Sequence, residues 1–228
     1  MLYEKNESPM AQRRTIVLAE AALMVFAAWL LVGGGIAALN GLLGTRVAEG
    51  SLGRRILLLC FVVVTFARMT TMIFVFLKRP IKWSEAVAVP FGFGLYFVGY
   101  SVLGGTRTAS IDWLDGLAIA LFVVGGLINT SAELLRHRWR GDPAHAGTLY
   151  TGGLLRYSRH INYFGDFVWV SAWALLTRNV WSIFIPAFLF CMFVFYNAPT
   201  LDKHLAERYG TAFDSYRKRT KTFIPFLL

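Results

Sequence analysis

Apolar residues along this chain come in long, nearly uncharged runs broken by short polar stretches. Six runs approach the length of about 20 residues that a helix needs to cross the hydrocarbon of a bilayer. They cover roughly Ile16 to Leu39, Ile56 to Leu77, Ala86 to Leu103, Trp113 to Leu134, Tyr163 to Leu176 and Val180 to Ala198. The runs are continuous rather than alternating, which predicts helices and not the strands of a barrel. The expected architecture is an all-α integral membrane bundle of about six transmembrane helices, with room for a seventh, and a C-terminal cytoplasmic amphipathic segment. It forms a single membrane domain over 1–228. Residues 1–125 are mostly lipid-like, and 126–228 hold most of the chemistry.

Composition agrees with the pattern. Apolar residues make up 56% of the 228 residues, charged residues 16%, and the mean hydropathy is +0.53. Soluble domains sit near 45–50% apolar and about 25% charged, so a soluble domain, a disordered chain and a disulfide scaffold are all excluded. The two cysteines, Cys60 and Cys191, lie inside apolar runs and are expected to be small core residues.

Charge adds orientation. The net charge is +10. Lys78, Arg79 and Lys82 follow the second span; Arg136, Arg138, Arg140, Arg156 and Arg159 follow the fourth; Lys203, Arg208, Arg217, Lys218, Arg219 and Lys221 fill the tail. The loops after the third and fifth spans carry one arginine each, Arg107 and Arg178. Excess Lys and Arg marks the cytoplasmic side, so both termini are expected there. Arg46, Arg54 and Arg55, after the first span, break the rule.

Polar chemistry concentrates in two blocks, Asn129–Asp166 and Asp202–Lys221. Eleven of the 23 basic residues fall in Arg136–Arg159 and Lys203–Lys221. Asn129 and Glu133 are spaced i, i+4 and share a helix face, which Arg136, His137 and Arg140 continue. Such a stripe suits ribose hydroxyls and phosphates, because the guanidinium fork binds phosphate bidentately. Tyr209 and Tyr216 are seven apart on one face of the basic tail, where they could cap a site or anchor in lipid. The four histidines, His137, His145, His160 and His204, lack a metal-ligand pattern, and no nucleic-acid motif is present.

The string Gly152-Gly153-Leu154 leading to Tyr157-Ser158-Arg159-His160 and Asn162-Tyr163-Phe164-Gly165-Asp166, with the closing Ile224-Pro225-Phe226, resembles the C-terminal domain of the steroid 5α-reductase superfamily. That superfamily includes sterol C14 reductases, trans-2-enoyl-CoA reductases and uncharacterised bacterial members. The resemblance covers about residues 125–228. It implies a helical bundle, in a bacterial inner membrane, that binds NADPH from the cytoplasmic side. Carried over by motif, Asn129, Glu133, Arg140, Asn162, Asp166, His204, Tyr209 and Tyr216 would be cofactor-side residues. Arg136, Arg156, Arg159, His160 and Tyr163 join them from the surrounding block.

The chain departs from the pattern at several points. Ile161 stands where many relatives have Pro, Asp166 replaces a Glu, and Trp169 stands where several steroid-reducing members have a second Glu. Leu149-Tyr150-Thr151 occupies the stretch of a Tyr-Arg-Ile-Pro type segment. Glu20 is a candidate for the substrate-side Glu, while Thr65 falls near the position of the family's Tyr. The implied reaction is reduction of a conjugated C=C in a lipophilic substrate entering from the bilayer. A 3-oxo steroid, another sterol, an enoyl thioester and an isoprenoid enone all remain open. Candidate proton or carbonyl partners are Glu20, Tyr96 and Tyr100. Arg68, mid-span, needs a partner or a wet cavity, and a Glu20–Arg68 ion pair is expected. Isoprenylcysteine and phospholipid methyltransferases share an Arg-His-Pro-x-Tyr type string and would bind S-adenosylmethionine instead; Leu201-Asp202 replaces their usual Glu-Glu pair. A third reading is a sterol- or lipid-binding membrane protein without catalysis.

Overall fold

The computed structural model describes residues 9–77 and 79–227. Lys78, one of the loop cations above, lies outside them. The chain is all-helical and divides into two compact units, Met1–Ile111 and Asp112–Leu228. Among the described residues, five helices are long and apolar enough to cross a membrane: Met10–Val32, Leu52–Phe76, Trp83–Gly105, Trp113–Gly141 and Val180–Tyr209. The fifth predicted span, Tyr163 to Leu176, is helix Ile161–Thr177, of 17 residues. At 1.5 Å per residue it is about 26 Å long, at the short end of what spans a hydrocarbon core of about 30 Å.

In the first unit, α1 (Pro9–Val32) packs against α3 (Leu52–Thr71) and against the rod made by α4 (Trp83–Gly94) and α5 (Tyr100–Gly105). The first span was expected to reach Leu39. It stops at Val32 because Gly33-Gly34-Gly35 follows and Gly34 turns left-handed at φ 79°, which starts the separate short α2, Gly35–Leu43. The α1 and α3 helices run antiparallel, and arginines close both ends of the pair. The Arg13 guanidinium, itself buried, donates to the carbonyls of Ile73, Leu77 (2.6 Å) and Arg79 (3.3 Å). At the other end Arg55 donates to the Leu31 carbonyl at 3.0 Å and pairs with Glu49 at 2.7 Å. Helix ends leave carbonyls without intrahelical partners, and lipid offers them no water. The same need places Arg54, fully buried, against the Ser110 carbonyl at 3.2 Å. Arg54 and Arg55, which broke the charge rule, are thus structural donors rather than loop cations.

The second unit begins with α6, Trp113–Gly141. Asp112 caps it: its carboxylate accepts from Leu114 N at 2.8 Å, and Asp115 accepts from Asp112 N at 2.9 Å. The helix was expected to end at Leu134, but it continues through the arginine stripe to Gly141. Its 29 residues measure about 44 Å, more than a bilayer core. The antiparallel α7, Ile161–Thr177, lies close against it, and Arg178 at its end pairs with Asp112 and Asp115. The closest approach is at Gly125 and Gly165. A Cβ on Gly125 would stand 2.5 Å from Trp169 N, and one on Gly165 would stand 2.7 Å from Asn129 N. The last rod joins α8 (Phe184–Met192), a π-helical turn (Phe193–Asn197) and α9 (Ala198–Tyr209); α10 (Thr211–Arg219) then turns back.

Cys60 and Cys191, expected in the core, are exposed. Most positions of the spanning helices face outward, where lipid receives a thiol as readily as a protein interior does.

Gly125→Ala should lower the thermal unfolding midpoint in detergent. The clash is with backbone, overpacking costs about 1–3 kcal/mol, and the helix-propensity gain of roughly 1 kcal/mol does not offset all of it. Gly116→Ala, whose Cβ would meet open space, should leave the midpoint unchanged or raise it. Equal behaviour of the two variants would refute the tight contact.

Candidate functional site

The polar block of the second unit resolves into two clusters with different work. The first joins the C-terminal half of α6 to the start of α7. Asn129 is buried, and its amide donates to the Asn162 carbonyl at 3.2 Å. The Asn162 side chain donates to Glu133 Oε1 at 3.1 Å, and Arg136 pairs with that same oxygen at 3.2 Å. The i, i+4 stripe therefore does face inward, and the glycine contact lets Asn162 reach it. Arg140 continues the helix as an exposed cation, and Asp166 accepts from Trp169 Nε1 at 2.8 Å.

The second cluster is a clasp on the C-terminal tail. Asp202, near the start of α9, accepts from Arg159 at 2.9 Å and from His160 Nε2 at 2.9 Å. Arg159 uses its remaining N–H groups on Thr222 Oγ1 (2.9 Å) and on the carbonyls of Arg217 and Thr220. All five guanidinium donors are engaged within the chain. Ser158 donates to the Thr222 and Phe223 carbonyls, and the 158–160 backbone pairs with 221–222. The Tyr216 hydroxyl donates to the Leu155 carbonyl at 2.6 Å. Burial pushes that phenol well above the ordinary tyrosine range, so it remains a neutral donor. Phe223 is fully buried among Phe164, Phe167, Phe190 and Phe193.

Arg159 and His160, expected on the cofactor side, are thus engaged in the clasp, and Tyr216, expected there too, ties the tail to Leu155. Tyr163 is sandwiched between His160 (5.3 Å) and Phe193 (4.6 Å). Arg156 lies over the Tyr157 ring at 4.6 Å, exposed and outside both clusters. His204 is exposed on α9, and Tyr209 is half-buried beneath Arg208. Asp202 was noted in the sequence only as a departure from the methyltransferase pattern. It is the first acidic residue after Asp166, a signal that could have marked it as the partner of the nearby Arg-His pair.

In the first unit Glu20 is fully buried on α1, and neither carboxylate oxygen has a hydrogen-bond partner among the described residues. The expected Glu20–Arg68 pair is not formed; Arg68 is half-buried on α3. Thr65, buried on α3, likewise has no hydroxyl partner among the described residues. Tyr96 stacks on the buried Tyr100 at 6.4 Å.

Residues 91–220, more than half of the chain, match the family described as "Protein of unknown function (DUF1295)". The chain belongs to the DUF1295 family. Its curated relatives agree with the superfamily resemblance read from the motifs. The human protein named 3-oxo-5-alpha-steroid 4-dehydrogenase 1 is 33% identical over 122 residues, which is 51% of this chain and 44% of that protein. The rat protein of the same name is 28% identical over 187 residues, covering 78% of this chain and 70% of the relative. Protein-S-isoprenylcysteine O-methyltransferase of Schizosaccharomyces pombe is 28% identical over 79 residues, 35% of this chain and 34% of its own length. The chain spans less than half the length of the human relative it matches. These relatives support an enzyme embedded in the membrane.

Removing one partner of a buried ion pair typically costs about 3–5 kcal/mol, and Arg159→Ala should do so here while freeing the tail. Limited trypsin digestion should then cut the 217–221 stretch faster than in the parent protein. Arg156→Ala, outside the clasp, should digest like the parent. A tail equally protected in Arg159→Ala would show that the clasp does not hold it.

Proposed function

We propose that this DUF1295 member is a membrane-embedded, NADPH-dependent reductase of a conjugated C=C bond in a lipophilic substrate. The observation that carries the reading is the run of Asn129, Asn162, Glu133 and Arg136 joined in one hydrogen-bonded network, in the segment that relatives named 3-oxo-5-alpha-steroid 4-dehydrogenase 1 share.

The residues present suit a nucleotide. Buried polar atoms of the second unit without a partner among the described residues include Asn197 Oδ1, His160 Nδ1 and Trp139 Nε1. Each such group left unmet costs about 1–3 kcal/mol. Glu133 accepts from ribose hydroxyls, while Arg136 and Arg140 supply the guanidinium forks that phosphates need. NADPH, when bound, supplies the hydride. The chain orients it through Asn129, Asn162, Glu133 and the two arginines, facing the cytoplasm as the loop charges indicate.

Adding a hydride at the β-carbon leaves charge on the carbonyl oxygen, and the α-carbon then takes a proton. A group that donates to that oxygen lowers the barrier. Glu20 suits this role. It lies in a helix interior away from water, and as an acid it donates one hydrogen bond that nothing described in the fold uses. Tyr96 and Tyr100 carry further hydroxyls on α4–α5. The substrate enters laterally, since the helices present apolar outer faces to lipid.

A second reading, an S-adenosylmethionine-dependent methyltransferase, draws support from the fission yeast relative. Ligand-induced stabilisation separates the two, because a molecule that binds only the folded state raises its apparent stability. NADPH should raise the unfolding midpoint of the purified protein, and S-adenosylmethionine should not; the reverse result would decide for methyl transfer. Asn162→Ala and Arg140→Ala should each weaken the NADPH shift. Glu20→Gln should keep that shift yet lower turnover of an enone by about 10²–10⁴-fold, the usual contribution of a positioned acid.

A further inference from the structure

Directly after Phe223 the tail makes a tight turn, in which Leu227 N donates to the Ile224 carbonyl at 3.1 Å. Pro225 takes the second position of that turn and Phe226 the third. Phe226 is left-handed, with φ 67°. Glycine or asparagine is the usual residue at such a position, because a Cβ strains that conformation. The chain holds a phenylalanine there instead, and the turn leaves its side chain 74% exposed, with Leu227 beside it 77% exposed. The Phe226 ring touches the Tyr157 ring, 5.5 Å between centroids, and Arg156 lies over that tyrosine at 4.6 Å. Lys221, whose backbone runs beside Ser158 and Arg159, is exposed like Arg156.

The depth of this hook follows from its neighbours in the second unit. Phe223 packs on Phe164 and Phe167, in the first two turns of α7, and on Phe193. Tyr163 stacks on Phe193, so α7 begins level with the π-helical turn of the last rod. Phe195 and Tyr196 on that turn are exposed, as belongs to a span that faces lipid. Phe223 therefore sits at the end of the apolar layer, while Tyr157 and its neighbour Phe226 lie just outside the start of α7 at Ile161. That is the level of the membrane–water boundary, where aromatic side chains gather. Cations beside exposed apolar groups at that level match a leaflet with anionic headgroups.

We propose that the turn Pro225–Leu227 is a membrane anchor. Phe226 and Leu227 insert between the headgroups of the leaflet at the start of α7, and Arg156 and Lys221 draw anionic lipid to that spot. The partner is the bilayer surface itself. Arg156, expected on the cofactor side, thereby gains a lipid contact instead. The tail is then held at two places, by the Asp202 clasp near its base and by lipid at its turn. The assignment does not rest on the reductase reading, because it uses neither the Asn129–Glu133 network nor Glu20.

The test uses the whole protein in phosphatidylcholine nanodiscs, with a nitroxide attached through Leu227→Cys in a Cys60→Ser/Cys191→Ser background. Electron paramagnetic resonance compares how often the label collides with oxygen, which concentrates in lipid, and with a neutral nickel chelate, which stays in water. Oxygen should dominate, and more so as phosphatidylglycerol replaces part of the phosphatidylcholine. Phe226→Gly is the decisive variant, because glycine suits the left-handed turn and only the ring is lost. Its unfolding midpoint in detergent should equal or exceed that of the parent, yet its label should move towards the nickel chelate. R156Q/K221Q should lose the response to phosphatidylglycerol, while R217Q/K218Q, with its cations on α10, should keep it. A parent label that meets the nickel chelate more often than oxygen overturns the proposal. So does a label shielded from both, which marks a protein partner such as a second copy of the chain. An oxygen preference that survives Phe226→Gly overturns it as well, as does one that ignores phosphatidylglycerol in the parent or loses that response equally in R217Q/K218Q.

Discussion

The carboxylate of Asp202 holds Arg159 and His160 together, at 2.9 Å from each. That one contact fixes where the chain after the last span can go. Arg159 is only 7% exposed, and a guanidinium so far from water must have every donor met. With Asp202 taking two of its N–H groups, the other three reach Thr222 Oγ1 and the Arg217 and Thr220 carbonyls. The tail is thereby laid beside Ser158–His160, Phe223 enters its aromatic nest, and Tyr216 comes under Leu155. The ion pair thus acts together with the burial of Phe223 and the Tyr216–Leu155 hydrogen bond to return a polar segment to the unit.

The same constraint, that backbone and charge must be satisfied where water is scarce, organises the first unit. Arg13 and Arg55 close carbonyl-rich helix ends, and Arg54 does so for the loop at Ala109–Ser110. Glu20 and Thr65 stand apart from this economy. Their oxygens are buried on α1 and α3 and have no hydrogen-bond partner among the described residues. Such unmet groups are where a membrane protein's chemistry is expected.

Much of the architecture was legible from the hydrophobic pattern. Span positions, helical class and the inward face of Asn129 and Glu133 follow from run length and 3.6-residue periodicity, which are local properties. Helix ends were less legible. The Gly33–Gly35 break cut the first span short, and α6 outran the hydrophobic run because Arg136–Arg140 remains helical beyond the lipid. The roles of the basic residues were least legible, since charge counts treat every Arg alike. Arg54 and Arg159 are bound to carbonyls or a carboxylate more than 40 positions away, while Arg208 lies over the ring of its neighbour Tyr209.

By itself, then, the sequence determined that this is a helical membrane protein with its chemistry concentrated near the C-terminal spans, and the order of its motif residues tied it to a reductase-like superfamily. The first conclusion needs only composition, period and spacing; the second rests on the resemblance of the motif string to a known family. The tertiary structure alone decided which polar residues are engaged within the chain and which keep donors or acceptors unmet among the described residues. That division depends on long-range partners. Arg159 and Arg136 look alike on paper, yet one has all five of its donors engaged within the chain and the other is a half-buried cation paired with Glu133, because only folding brings Asp202 and the tail to the first and leaves the second near solvent.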